Sequence, residues 1–270
     1  MVIYVAVVAL AGVFWLGGCA ASGGKPAAPA GGQTAKPAAA EQNRKMPPPA
    51  GVPVLMYHKI GGEKGNDAVI SEALFISHME FLHNNGYKTL SLAELEAYLD
   101  GRAELPPKPV VITFDDGYRD TYEIALPVLK KYGLKSTLFI PVADADRRLS
   151  WAELREMKAA GMEIGSHNYS HRELAAMTPA RQAEEIGRSK EVLDRNLGQD
   201  SRYFCYPNGS YDAETLRLLK AKGFRLAVTI EPGWVKRGDT PLLLKRVWMG
   251  NGVDLKQFET RLTREDYPII

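Results

Sequence analysis

Two short clusters in this chain hold the residue types that could share a metal ion and move a proton. Thr113-Phe114-Asp115-Asp116-Gly117 closes the most strand-like segment of the sequence, and Ser166-His167-Asn168-Tyr169-Ser170-His171 follows another apolar run at 162–164. The chain has only five histidines, and two of them stand four residues apart in the second cluster. Imidazoles at that spacing converge on one ion in helical zinc motifs. Two imidazoles and one carboxylate make three protein ligands and leave positions for water and substrate, as catalytic rather than structural sites do. The other carboxylate of the Asp pair is then free to act as a general base beside the metal. Taken alone, Asp-Asp-Gly is an ordinary turn and the histidine run an ordinary solvated loop; two such clusters at one sheet edge are harder to explain that way.

Such an edge requires a particular kind of scaffold. From Gly51 onward the sequence switches between short apolar runs and amphipathic stretches. Residues 52–57, 110–114, 136–140, 162–164, 203–206 and 225–230 read as buried strands. Helices begin at recognisable signals: Ser91 with Glu94 as a capping box, and Thr178-Pro179 as an N-cap with proline at the first helical position, opening a helix to about Leu197. Gly133, Gly161, Gly198 and Gly223 fall where helix C-caps belong. His78 and His83 lie in a helical pattern over 71–85 and read as helix-face residues. Strand and helix in alternation mean parallel pairing with helices outside, either an open doubly wound sheet or a (β/α) barrel. No glycine-rich phosphate loop follows the first strand, which disfavours nucleotide binding. In a barrel, chemistry collects at the C-terminal ends of the strands, where both clusters fall.

TFDDG, SHNYSH and the later run Phe204-Cys205-Tyr206-Pro207-Asn208-Gly209-Ser210-Tyr211-Asp212 together resemble the polysaccharide deacetylases of the NodB-homology type, carbohydrate esterase family 4. The resemblance spans residues 52–248. It implies a single-domain, distorted (β/α) barrel of seven or eight parallel strands. It also implies hydrolysis of an N-acetyl group on a sugar polymer, with one divalent metal ion as cofactor. Zinc is the first choice, and cobalt, nickel or iron suit the same ligands. Carried over by motif, Asp115 is the general base, and Asp116, His167 and His171 are the metal ligands. The oxyanion of the reaction would rest on the metal and on the backbone N–H of Asn208. A tyrosine is usual at that position, so the change affects side-chain contacts rather than the donor. Tyr206 and Trp248 are expected against the substrate.

Two departures from the family pattern bring further residues forward. The arginine that usually orients the base from the third motif is missing near Cys205, and Arg246, in Leu244-Lys245-Arg246-Val247-Trp248, is the candidate replacement. No histidine follows His171 to serve as general acid, but His58 ends the first strand. This arrangement resembles the rearranged subgroup that includes the poly-β-1,6-N-acetylglucosamine deacetylases of biofilm systems. First and last strands of a closed barrel are neighbours, so the exchange is geometrically reasonable.

The rest of the chain reads as an address. Residues 2–16 carry no charge and fit the apolar region of a secretory signal. Leu16-Gly17-Gly18-Cys19 resembles a bacterial lipobox, although no Lys or Arg follows Met1. The expected organisation is a lipoprotein signal over 1–19, an Ala/Gly/Pro-rich disordered linker over 20–50 and a catalytic domain over 51–270. The protein is then an extracytoplasmic monomer, tethered to a membrane through lipidated Cys19. Cys205 becomes a buried free thiol without a role. The linker carries a net charge of +3, from Lys25, Lys36, Arg44 and Lys45 against Glu41, and beyond residue 50 the chain holds 30 basic against 31 acidic residues, which gives no case for nucleic-acid binding. Peptidoglycan is the alternative polymer. The ligand set also suits a non-haem iron oxygenase, which would not need the second carboxylate, and the barrel could serve as a catalytically silent glycan-binding module.

Overall fold

The computed structural model describes residues 50–62 and 65–269. The expected signal with its Cys19, and all of the linker except Ala50, lie outside the described residues. In chain order the elements are β1 (Val54–Tyr57), β2 (Lys59–Ile60), β3 (Val69–Ile70), α1 (Glu72–Asn84), β4 (Lys88–Leu90), α2 (Leu92–Leu99) and β5 (Pro109–Phe114). A π-helical turn over Thr121–Ala125 then leads into α3 (Leu126–Tyr132), β6 (Ser136–Ile140), α4 (Trp151–Ala159) and β7 (Met162–Ser166). The chain finishes with α5 (Pro179–Leu197), β8 (Tyr203–Cys205), α6 (Ala213–Ala221), β9 (Leu226–Pro232), β10 (Leu244–Trp248) and α7 (Leu255–Thr263).

Seven parallel strands close on themselves in the order β1-β10-β9-β8-β7-β6-β5, with β5 pairing back onto β1 from Val54↔Val111 to Tyr57↔Phe114. The eighth, β4, lies parallel on the other edge of β5 over its first half, and β6 takes the second half. This is the distorted (β/α) barrel of seven or eight strands that the sequence resemblance implies. The distortion has two sources: β4 stands outside the closed ring, and no helix intervenes between β9 and β10.

Local signals act as the sequence suggests. Ser91 and Glu94 form the reciprocal capping box of α2, and Thr178 caps α5 through the Arg181 N–H. Gly133 and Gly198 end α3 and α5 in the left-handed conformation. Gly161 and Gly223 sit one residue beyond the C-caps of α4 and α6. The first strand begins at Val54 rather than 52, because Val52 instead bridges antiparallel to Val235. His78 is not a surface residue of its helix. It is fully buried, stacked at 3.9 Å on Phe258 and hydrogen-bonded to the Tyr57 hydroxyl.

Candidate active site

Side chains alternate between the two faces of a strand, and the buried clusters identify the inner one. Val54, Val111, Phe139, Cys205, Val228 and Leu244 pack together inside the barrel, with Leu92 and Leu95 of α2 closing its lower end. Leu55, Ile112, Phe114, Ile164 and Val247 face outward and pack with residues of the surrounding helices. Steps of two along the inner face lead from Val54 to His58, from Val111 through Thr113 to Asp115, and from Leu244 through Arg246 to Trp248. His167 continues the inner row of β7 from Gly165, where an added Cβ would stand 2.6 Å from the Phe139 ring. All nine residues singled out from sequence line one cavity of about 520 Å³ at this end of the barrel.

Three donor atoms meet there. Asp116 Oδ1 lies 2.9 Å from His171 Nε2 and 3.4 Å from His167 Nε2, and the two imidazole nitrogens are 3.2 Å apart. His167 is oriented from behind, because its Nδ1 bonds the Cys205 carbonyl oxygen at 2.8 Å. That contact fixes the ring with Nε2 turned toward Asp116, the usual support of a metal-binding imidazole. Burial would raise the Asp116 carboxyl, but the hydrogen bonds and charge of the two imidazoles hold it well below the ordinary carboxylate range. A carboxylate oxygen and two imidazole nitrogens this close together fit a divalent ion with positions left open.

Asp115 could form a second ligand group with His167 and Cys205, but its carboxylate is already engaged. Arg246 donates from Nη1 to Oδ1 at 2.8 Å and from Nη2 to Oδ2 at 2.7 Å, with both side chains buried. Arg246 is itself fixed by Nε donating to the Thr229 carbonyl and Nη1 to the Thr113 hydroxyl. Burial pushes the Asp115 carboxyl up, and the guanidinium charge and hydrogen bonds outweigh it, holding the pKa at about 2. Cys205 completes the group: its thiol donates to Asp115 Oδ2 at 3.4 Å and accepts from Arg246 Nη2 at 3.2 Å. Cys205 is thus a free, buried thiol as expected, but not one without a role, since its side chain touches Asp115 and its carbonyl holds His167. The inward parity of Cys205 between outward Phe204 and Tyr206 is the signal that could have revealed it.

His58 Nε2 stands 3.7 Å from Asp115 Oδ2, and its ring lies 5.1 Å from that of Trp248. Burial lowers the His58 pKa, while the charges of Asp115 and Asp116 oppose the shift. Asn208 adopts the left-handed conformation at φ 51°, and its Nδ2 donates to Glu173 Oε1 at the rim. Tyr206 borders the cavity but faces outward. Its ring packs with Phe204 and Tyr211, and its hydroxyl donates to the Leu242 carbonyl at 2.8 Å. Sequence reasoning missed Arg148, whose Nη1 donates to the Asp116 carbonyl while its guanidinium lies over Tyr118. It also missed the wall formed by Ile230, Pro232, Arg261 and Tyr267.

Backbone conformation is unusual at the same place. Among the described residues six non-glycine residues have positive φ, and Asp116, Asn168, His171 and Asn208 are four of them. Left-handed conformations of this kind are each unfavourable by roughly 1 kcal/mol or more and concentrate at functional sites. Here they turn the chain back over the barrel mouth directly after β5, β7 and β8.

A parallel barrel with a carboxylate, two imidazoles and an arginine-bound aspartate at its C-terminal mouth has the parts of a metal-assisted hydrolase. The chain belongs to the polysaccharide deacetylase family, whose domain matches residues 102–227. It is 38% identical over 216 residues to the Bacillus subtilis (strain 168) protein YxkH, provisionally named a polysaccharide deacetylase, covering 79% of this chain and 77% of that one. It is 25% identical over 194 residues to the poly-β-1,6-N-acetyl-D-glucosamine N-deacetylase of Staphylococcus aureus (strain MRSA252), covering 66% of this chain and 67% of that one. The Streptococcus pyogenes deacetylase PplD, solved in complex with acetate, superposes with a TM-score of 0.76 at 28% identity, covering 80% of this chain and all of PplD. The chain is therefore a hydrolase acting on carbon–nitrogen bonds, of a family that uses a divalent metal.

Proposed function

We propose that this protein hydrolyses the N-acetyl groups of an N-acetylglucosamine-containing polysaccharide outside the cytoplasm, with Asp116, His167 and His171 holding one divalent ion, zinc in the first instance. The observation that carries this reading is the convergence of those three ligand atoms beside an aspartate held by a buried arginine. When bound, the metal supplies Lewis acidity, polarising the acetyl carbonyl and making a nearby water more acidic.

The chain's own residues supply the rest. Asp115 accepts a proton from the attacking water. Its bidentate bond to Arg246 fixes both oxygens, so the base is oriented before substrate arrives. The acetyl carbon gains the water oxygen and leaves as acetate, while the carbon–nitrogen bond breaks to leave a sugar amine. His58, on the Trp248 side of Asp115, gives a proton to the departing nitrogen. The Asn208 backbone N–H donates to the oxyanion, placed there by the left-handed turn that follows β8. Trp248 offers its ring to a sugar face, and Tyr206 sets the turn leading into Pro207-Asn208.

For the polymer, the name of the Staphylococcus aureus relative and the early-strand position of His58 support poly-β-1,6-N-acetylglucosamine. A second reading, peptidoglycan, is favoured by one observation, the buried Arg261 in the cavity wall. The apolar residues 2–16 and the lipobox-like run at Cys19 support lipid anchoring at the cell envelope. Among the described residues no helix is long and apolar enough to cross a membrane. Acetate release from β-1,6-linked N-acetylglucosamine oligomers and from peptidoglycan tests the reading, and release from neither would overturn it.

A further inference from the structure

Two arginines line the catalytic cavity from buried positions, and they differ in one respect. Arg246 is neutralised by Asp115. Arg261, in the last turn of α7, is 3% exposed and has no carboxylate within ion-pairing distance among the described residues. Its Nη1 donates to the Trp248 carbonyl at 3.2 Å and its Nη2 to the Pro268 carbonyl at 3.5 Å. Its guanidinium lies 5.1 Å from the Tyr267 ring centroid. Asp254, in the adjoining hollow, is occupied as the N-cap of α7. These contacts tie residues 267–268 to β10, and the helix C-terminus offers partial negative charge. None of them supplies a full counter-charge, and a buried cation without one is held against a considerable desolvation penalty. A guanidinium carries five N–H donors, of which the two carbonyls occupy two.

We propose that Arg261 is an anion subsite of the active-site cleft that binds a carboxylate on the sugar next to the N-acetylglucosamine being deacetylated. The proposal rests on the deacetylase reading and favours peptidoglycan among its polymers. A carboxylate fits better than a phosphate, because one guanidinium flanked by Tyr267, Trp248 and Ile269 offers a single positive charge among apolar surfaces. The planar fork matches a carboxylate in two-point contact, and the neighbouring rings can hold the uncharged part of its substituent. Arg246 cannot take this role, since both of its terminal nitrogens are bound to Asp115.

The test uses two substrates that differ only in charge: an alternating N-acetylglucosamine–N-acetylmuramic acid tetrasaccharide, whose lactyl ether carries the carboxylate, and its methyl ester. With the metal-loaded wild-type chain, kcat/KM for acetate release is expected to be about tenfold higher for the acid, mostly through KM. In Arg261→Gln, which keeps a polar N–H group but loses the charge, the acid-to-ester ratio should fall to about one. In Arg261→Lys, which keeps the charge without the fork, it should be intermediate. A wild-type ratio near one, or an unchanged ratio in Arg261→Gln, would overturn the subsite. Should Arg261→Gln fail to fold by thermal melting, Arg261→Lys carries the same test, and an acid-to-ester ratio unchanged from wild type in Arg261→Lys would equally overturn the subsite. Calorimetric titration of the same pair decides the subsite even if no acetate is released, an outcome that would count against the deacetylase reading alone.

Discussion

Arg246 and Asp115 face each other inside the barrel from β10 and β5, the two strands that flank β1, and are joined by parallel hydrogen bonds of 2.8 and 2.7 Å. The pair is buried on both sides, so its members depend on each other. Removing one partner leaves an uncompensated charge in the interior, at a cost of about 3–5 kcal/mol. Arg246→Met is expected to lose that much stability in denaturant unfolding and to release acetate at least ~10²-fold more slowly. Arg246→Lys keeps the charge without the fork and should fall between wild type and Arg246→Met in both measurements. Wild-type stability and turnover in Arg246→Met would show that Asp115 needs no such partner.

His58 offers a cleaner separation of chemistry from folding. It sits at the end of its strand, near Trp248 and 3.7 Å from Asp115, whose buried charge is already paired with Arg246. His58→Ala is expected to reduce kcat by roughly 10²-fold with little change in the unfolding midpoint. An unchanged kcat would make the residue part of the scaffold only.

How much of this site could be read beforehand follows from its geometry. Asp115, Asp116, His167 and His171 were visible because their residue types are chemically distinctive and stand at the ends of strongly apolar strands. Strand β4 is not legible in the sequence, since its three residues run from exposed to buried without a full period of alternation. Strand β10 is hard to read as a strand because Lys245-Arg246 interrupts its apolar run, and the carboxylate that lets Arg246 be buried stands 131 residues away. The same holds for Arg261: a basic residue in the last turn of a helix is ordinary, and only the fold places it against a cavity. Cys205 reads as a bystander in sequence because a lone cysteine is usually packing, whereas the fold sets its thiol against Asp115 and Arg246 and its carbonyl against His167.

Asp120 connects stability to pH. It follows the Asp115-Asp116 turn at the start of the π-helical segment, and its Oδ1 is buried without a hydrogen-bond partner. Burial raises its pKa to about 6, against the opposing effects of the Ile60 backbone and the Lys59 charge. In an unfolded chain the same carboxyl titrates at about 4. The folded state therefore binds more protons between those values, and stability falls as pH rises through that window. Asp120→Asn should match wild type at about pH 4 and exceed it at pH 8 by on the order of 1 kcal/mol, a figure discounted for partial exposure. Equal stabilities at pH 8 in urea titrations would show that Asp120 ionises without penalty.

The central claim is that Asp116, His167 and His171 bind one metal ion on which deacetylation depends, and acetate release measured beside metal content tests it most directly. The metal-loaded wild-type chain should carry about one divalent ion and release acetate from an N-acetylglucosamine polymer, losing that activity on chelation and regaining it when metal is returned. Asp116→Ala, His167→Ala and His171→Ala should lose metal and acetate release together. A His167→Ala protein that still releases acetate at the wild-type rate would contradict the account.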